Sequence, residues 1–214
     1  MRNLLSFAFS IFLLLSTVYV VFLGILSGES SLTLLFGSPV WLTFALLFFT
    51  LVLLSSLEGS QIAIVSLSDI NDEQLLQVKR KHPTAYTVMR LICTKIRSQQ
   101  YLAGRQFFVI LTVFVIAQIT SFPNLVNLPF THYSVDNLPS WVNLICFKLG
   151  FLGALLVLWT AQLIPQYFAN RHPSMFLNFP GNFLVVRICL LIEPIGPTKP
   201  ANWMSDLLLR AVED

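Results

Sequence analysis

Long apolar runs alternate with short polar breaks along this chain. The runs are Leu4 to Leu26, Val40 to Ser66, Gln106 to Phe122 and Trp141 to Phe168. Each is near or above the roughly 20 residues that cross a hydrocarbon core as a helix. A weaker run, Phe183 to Ile195, is interrupted by Arg187 and Glu193. Between the second and third runs, Asp72 to Lys81 and Ala85 to Tyr101 are apolar at every third or fourth position, with Pro83 between them. That period predicts two amphipathic helices at the membrane surface, broken by the proline. The pattern predicts an all-α integral membrane protein of about five transmembrane helices: four clear, the fifth marginal. Trp203 to Val212 predicts a short interfacial helix.

Composition agrees with that reading. Of 214 residues, 56% are hydrophobic and 11% charged, where a soluble domain carries roughly 25% charged residues. The first run exceeds the ~7–15 apolar residues of a signal peptide and is expected to be retained as a span. The expectation is one transmembrane domain over residues 1–214, with a basic cytoplasmic loop over 69–105.

The charge is modest at +3, but it is unevenly placed. Lys79, Arg80, Lys81, Arg90, Lys95, Arg97 and Arg105 are seven of the thirteen basic residues, and all lie between the second and third runs. Positive residues in short loops stay cytoplasmic. That segment is therefore expected inside, together with the N-terminus. The near-neutral loops Ser27 to Ser38 and Pro123 to Ser140 are expected outside. The basic segment reads as a topology determinant and a contact for lipid headgroups, not as a nucleic-acid site. Cys93, Cys146 and Cys189 are scattered, and His82, His132 and His172 lie in loops, so neither residue type offers metal spacing. No nucleophile–base pair is visible, and the expectation is a protein that is not an enzyme.

Two polar clusters interrupt this apolar background: Glu58-Gly59-Ser60-Gln61 and Gly104-Arg105-Gln106. A charge within or beside a span is a functional hypothesis by default. Glu58 and Gln61 are three apart and share a helix face, Ser60 lies off that face, and Gly59 allows close approach. Gly104 is expected where the third span opens. If the second and third spans are neighbours, both clusters lie at one depth, and Glu58 can pair with Arg105. Gln162 and Gln166 form a third polar group on the fourth span, with Pro165 between them freeing a backbone carbonyl. Plainer readings stand beside these: a cap for Glu58, a snorkelling interface residue for Arg105, and helix–helix contacts for Gln162 and Gln166.

In these clusters the chain resembles the silicon transporter family. Glu58-Gly59-Ser60-Gln61 matches its E-G-x-Q motif and Gly104-Arg105-Gln106 its G-R-Q motif, in the family's order. One motif pair and about five spans make the chain similar to the half-length members. The resemblance runs from the first span to Ile195. It implies transport of silicic acid, symport with sodium, and a site built from Glu58, Gly59, Ser60, Gln61, Gly104, Arg105 and Gln106, to which the residue pattern adds Gln162. Ser55, Ser56, Ser60 and Ser66 are candidate sodium ligands, and no bound cofactor is expected. Few spans for alternating access lead to the expectation of a homodimer.

A more distant likeness is to the membrane domain of CorC-type magnesium transporters. It rests on Gly59-Ser60-Gln61-Ile62-Ala63, the Gly104 cluster and Gln162-Leu163-Ile164-Pro165. Here Gln61 and Gln162 replace that family's acids, and Arg105 stands where a divalent cation would sit. Magnesium prefers hard anionic oxygens. A magnesium carrier and a non-transporting membrane subunit remain the alternative functions.

Overall fold

Thr94 shows how the polar middle of this chain turns into a span. Its hydroxyl accepts from the Arg97 backbone N–H at 3.4 Å, capping a helix that then runs unbroken from Lys95 to Ile119. A side-chain oxygen at that position satisfies one of the orphan donors of a helix start. The computed structural model describes residues 2–68, 72–92, 94–125 and 138–192. Every regular element among them is helical. They are α1 (Arg2–Leu26), α2 (Ser31–Phe36), α3 (Val40–Ser68), α4 (Asp72–Lys81), α5 (Pro83–Ile92) and α6 (Lys95–Ile119). Then follow α7 (Ser140–Val142), continued as a π-helix over Asn143–Lys148, and α8 (Phe151–Leu156), continued as a π-helix over Val157–Leu163. The last are α9 (Ile164–Arg171), α10 (Pro173–Leu177) and α11 (Asn182–Ile192).

Four helical stretches are long and apolar enough to cross a membrane: Phe7–Phe36, Val40–Ser68, Arg97–Ile119 and Phe151–Arg171. Their outward faces carry Phe12, Trp41, Phe48 and Phe114, each at least 60% exposed. Lipid, not water, is the solvent in which such faces are stable, because the helix has already satisfied its own backbone. α11 has 11 residues, roughly 16 Å at 1.5 Å per residue, short of the ~30 Å core. The last part of the weaker run, and Trp203 to Val212, lie outside the described residues.

Three boundaries differ from the sequence expectation. The third span opens near Arg97 instead of Gln106, because Gln99, Gln100, Leu102 and Ala103 are good helix formers and the long Arg97 side chain can reach the interface. The helix expected over Ala85 to Tyr101 divides after Ile92. The fourth span begins at Phe151 instead of Trp141. The helix through Lys148 stops because Gly150 takes φ 72°, a left-handed conformation that glycine adopts without steric penalty. The freed carbonyls of Phe147 and Lys148 accept from the Phe122 N–H at 2.8 Å and the Ser121 hydroxyl at 2.6 Å.

The chain divides into two compact units, one of residues 1–55 and 112–164, the other of residues 56–111 and 165–214. In the first, Ser30 donates to the Ile119 carbonyl at 2.8 Å, and the Ser31 N–H donates to Ser121 at 2.9 Å. The turn between α1 and α2 is thereby fastened to the end of α6. In the second, the Thr84 N–H donates to the Asn178 side chain at 3.2 Å, joining α5 to the turn after α10. Phe168, Phe176 and Phe179 stack with centroids 6.2 Å apart around that turn. The Phe176 ring lies against Gly59 of α3, where any Cβ would meet it at 2.2 Å. Asn182 opens α11, donates to the Phe176 carbonyl at 2.6 Å and accepts from the Ser56 hydroxyl. Both polar clusters of the sequence lie in this second unit.

Candidate functional site

Glu58 lies ten residues before the end of α3 at Ser68, and Arg105 ten residues after the start of α6 at Lys95. Each is thus roughly 15 Å inside its helix, and neither is a terminal cap. The Arg105 Nη1 donates to Glu58 Oε1 at 3.1 Å, so the pairing expected from the sequence forms. Both residues are buried, with 9% of Glu58 and 7% of Arg105 exposed. A buried ion pair holds only where each partner's remaining lone pairs and protons are engaged. The second carboxylate oxygen of Glu58 accepts from Gln166 Nε2 at 3.1 Å, and Arg105 Nη2 donates to Gln106 Oε1 at 3.2 Å. The pair is neutral overall and tethers α3, α6 and α9.

Close packing around the pair comes from the two glycines. Gly104 lies against the backbone of α11, where a Cβ would stand 2.0 Å from the Cys189 carbonyl oxygen. Burial pushes the Cys189 thiol up to about 12, so this wall is uncharged at physiological pH. α3 is buried all round from Leu57 to Ser60. The Ser60 hydroxyl, off the Glu58 face as its helical position requires, is therefore enclosed as well.

The remaining positions differ in exposure. Gln61 is half-buried, one turn on from Glu58, and its amide makes no hydrogen bond among the described residues. Gln106 is exposed, its carbonyl held by Arg105. Gln162 is half-buried in the first unit, and Gln166, one turn later, is the residue whose side chain bonds Glu58. Gln166 carried a sequence signal as the partner of Gln162 across Pro165. Asn182 carried none beyond its place after Gly181. Tyr101 was legible only as one turn before Arg105 on the same helix.

Gln166→Ala removes one of the two hydrogen bonds to the Glu58 carboxylate. Bonds to charged groups contribute about 1.5–3 kcal/mol, so the variant is expected to melt at a lower temperature in detergent while remaining monodisperse. An unchanged melting temperature would show that the bond carries no stability.

Four membrane-length helices define a multi-pass membrane protein, and its second unit holds a buried, charge-neutral polar centre. The chain belongs to the silicon transporter family, whose description as a silicon transporter matches residues 1–171. Neither any curated protein nor any solved structure matches the chain.

Proposed function

We propose that this protein carries silicic acid across the membrane, with Glu58, Ser60, Gln61, Gly104, Arg105 and Gln106 forming the site. Membership of the family supports the substrate class. The single observation that supports the site is the neutralised Glu58–Arg105 pair with uncommitted amide capacity beside it. Silicic acid is small, tetrahedral and neutral at physiological pH, and its four hydroxyls each donate and accept. A centre that recognises it needs mixed donors and acceptors at short range and no net charge. Amides supply the mixture, since each offers two donors and one acceptor, and the ion pair leaves no net charge. Gly59 and Gly104 keep the helices close enough for short contacts.

Sodium is the proposed coupling ion. Ser56 and Ser60 lie in the same unit as the pair, and a hydroxyl oxygen that donates its proton, as Ser56 does to Asn182, keeps lone pairs for a cation. The N-terminus is proposed to be cytoplasmic, from the seven basic residues between spans two and three. A homodimer is proposed because one motif pair on four long helices leaves few elements for alternating access.

The test is uptake of radiogermanium-labelled germanic acid, a chemical mimic, into proteoliposomes of the purified protein with and without a sodium gradient. Gln61→Ala is the informative variant. Its amide makes no hydrogen bond among the described residues, so the variant is expected to melt as the wild type does and to lose uptake at least tenfold. Competition by unlabelled silicic acid identifies the cargo. Failure of well-folded wild type to take up tracer would overturn the proposal, and stabilisation by magnesium would redirect it towards a divalent cation.

A further inference from the structure

Three buried polar atoms of the second unit have no hydrogen-bond partner among the described residues: the Ser60 hydroxyl, the Tyr101 hydroxyl and Arg105 Nε. Native interiors contain few such atoms, and each calls for an explanation. Ser60 and Tyr101 are completely buried and Arg105 is 7% exposed. They belong to one cluster. Tyr101 precedes Arg105 by one helical turn on α6, which places both on one face. Ser60 follows Glu58 by two residues on α3. The Tyr101 and Ser60 hydroxyls lie close to one another, but neither makes a well-formed hydrogen bond among the described residues.

Other atoms of Arg105 are engaged. Nη1 and Nη2 serve Glu58 and Gln106, while the Nε proton is left unmatched. Nε–H is a donor only, whereas each hydroxyl both donates and accepts. Together the three offer up to three donors and two acceptors beside a neutral ion pair. An anion would accept from all three donors but would bring an uncompensated charge to a pair that is already neutral. A metal ion would meet a guanidinium. A neutral solute bearing several hydroxyls matches all of them.

We infer that Tyr101 is a solute-binding residue of this transporter, and that its hydroxyl, the Ser60 hydroxyl and Arg105 Nε are the atoms that hydrogen-bond the hydroxyls of the transported acid. The inference rests on the carrier reading above and adds to it a side chain outside both sequence motifs. It also gives Arg105 two separate tasks: Nη atoms hold the fold, and Nε faces the cargo. The aromatic ring of Tyr101 supplies packing that is independent of its hydroxyl.

That independence makes the test clean. Tyr101→Phe deletes one oxygen and keeps the ring; Ser60→Ala deletes one oxygen from a small side chain. Each is purified as the full chain, melted in detergent, and assayed in proteoliposomes for saturation of germanic acid uptake, with silicic acid as competitor. Removing an unpartnered buried polar atom leaves the empty protein as stable as before or more so. Tyr101→Phe is therefore expected to melt at or above the wild-type temperature. Its half-saturating concentration for uptake is expected to rise roughly 5- to 100-fold, the loss of one buried hydrogen bond to the solute. Ser60→Ala is expected to move in the same direction, and decides the matter if Tyr101→Phe does not fold. A lowered melting temperature with unchanged half-saturation would assign the hydroxyls a structural role and overturn the inference. Unchanged saturation in both variants, with a transporting wild type, would overturn it and leave the carrier reading standing. A folded wild type that neither transports nor is stabilised by silicic or germanic acid would overturn both.

Discussion

Arg105→Ala is expected to be the most destabilising single change to a charged residue in this protein, lowering stability by about 3–5 kcal/mol. The reason lies less in the lost attraction than in what is left behind. Glu58 is 9% exposed and would be left buried without its cation. Among the described residues, Gln166 alone would remain hydrogen-bonded to it. Glu58→Ala is expected to fail for the mirror reason, leaving Arg105 with one hydrogen bond among the described residues, to Gln106. The informative control is the double variant Glu58→Gln with Arg105→Met. It removes both charges together, and replacement of a buried ion pair by uncharged residues of similar volume is often neutral for folding. Thermal melting in detergent should therefore rank the proteins as wild type close to the double variant, with both single variants well below. Uptake should be absent in all three variants. If Arg105→Ala melts with the wild type, the pair is not buried as described here.

Gly104→Ala is expected to be nearly as damaging, although it adds one methyl group. The new carbon would stand 2.0 Å from the Cys189 carbonyl oxygen and 2.8 Å from its carbonyl carbon. Both are backbone atoms of α11, so no side-chain rotation can relieve the clash. α6 and α11 must separate, and overpacking of this kind costs about 1–3 kcal/mol or more. Gly59→Ala provides the comparison. Its methyl would meet the Phe176 ring at 2.2 Å, a nominally similar overlap with the end of a side chain that can turn aside. The expected order of monodisperse yield by size-exclusion chromatography is wild type, then Gly59→Ala, then Gly104→Ala. A reversal of the two variants would mean that α11 yields more readily than Phe176. The pair also explains why a glycine stands in each motif: the chain there is pressed against backbone in one case and the tip of an aromatic ring in the other.

Much of the frame was legible without coordinates. The apolar runs predicted the long helices, since in lipid only segments that satisfy their own backbone can cross. Asp72 to Lys81 declared itself by its period and by the basic residues of its last turn, which suit a helix C-terminus. Boundaries were less legible where hydropathy and helicity part company. Lys95 to Arg105 is polar, yet it is helical because Thr94 caps it and because Tyr101, Gly104 and Arg105 are buried. Hydropathy registers the exposed residues of that stretch and misses the buried stripe. The break at Gly150 was hidden for the opposite reason. The surrounding residues are apolar, and only the carbonyl bonds made by Ser121 and Phe122 show where the helix ends.

The amino-acid sequence by itself determined the class of protein, the four clear spans and the two polar clusters, because each depends on local composition and short-range periodicity. It also brought out the opposite charges of Glu58 and Arg105, and with them their pairing. Only the tertiary structure decided which amides serve that pair, which glycine meets backbone, and that Ser60, Tyr101 and Arg105 Nε have no partners among the described residues. Those outcomes depend on distances between helices far apart in the chain, and no local pattern encodes whether a buried hydroxyl finds a partner across such a gap.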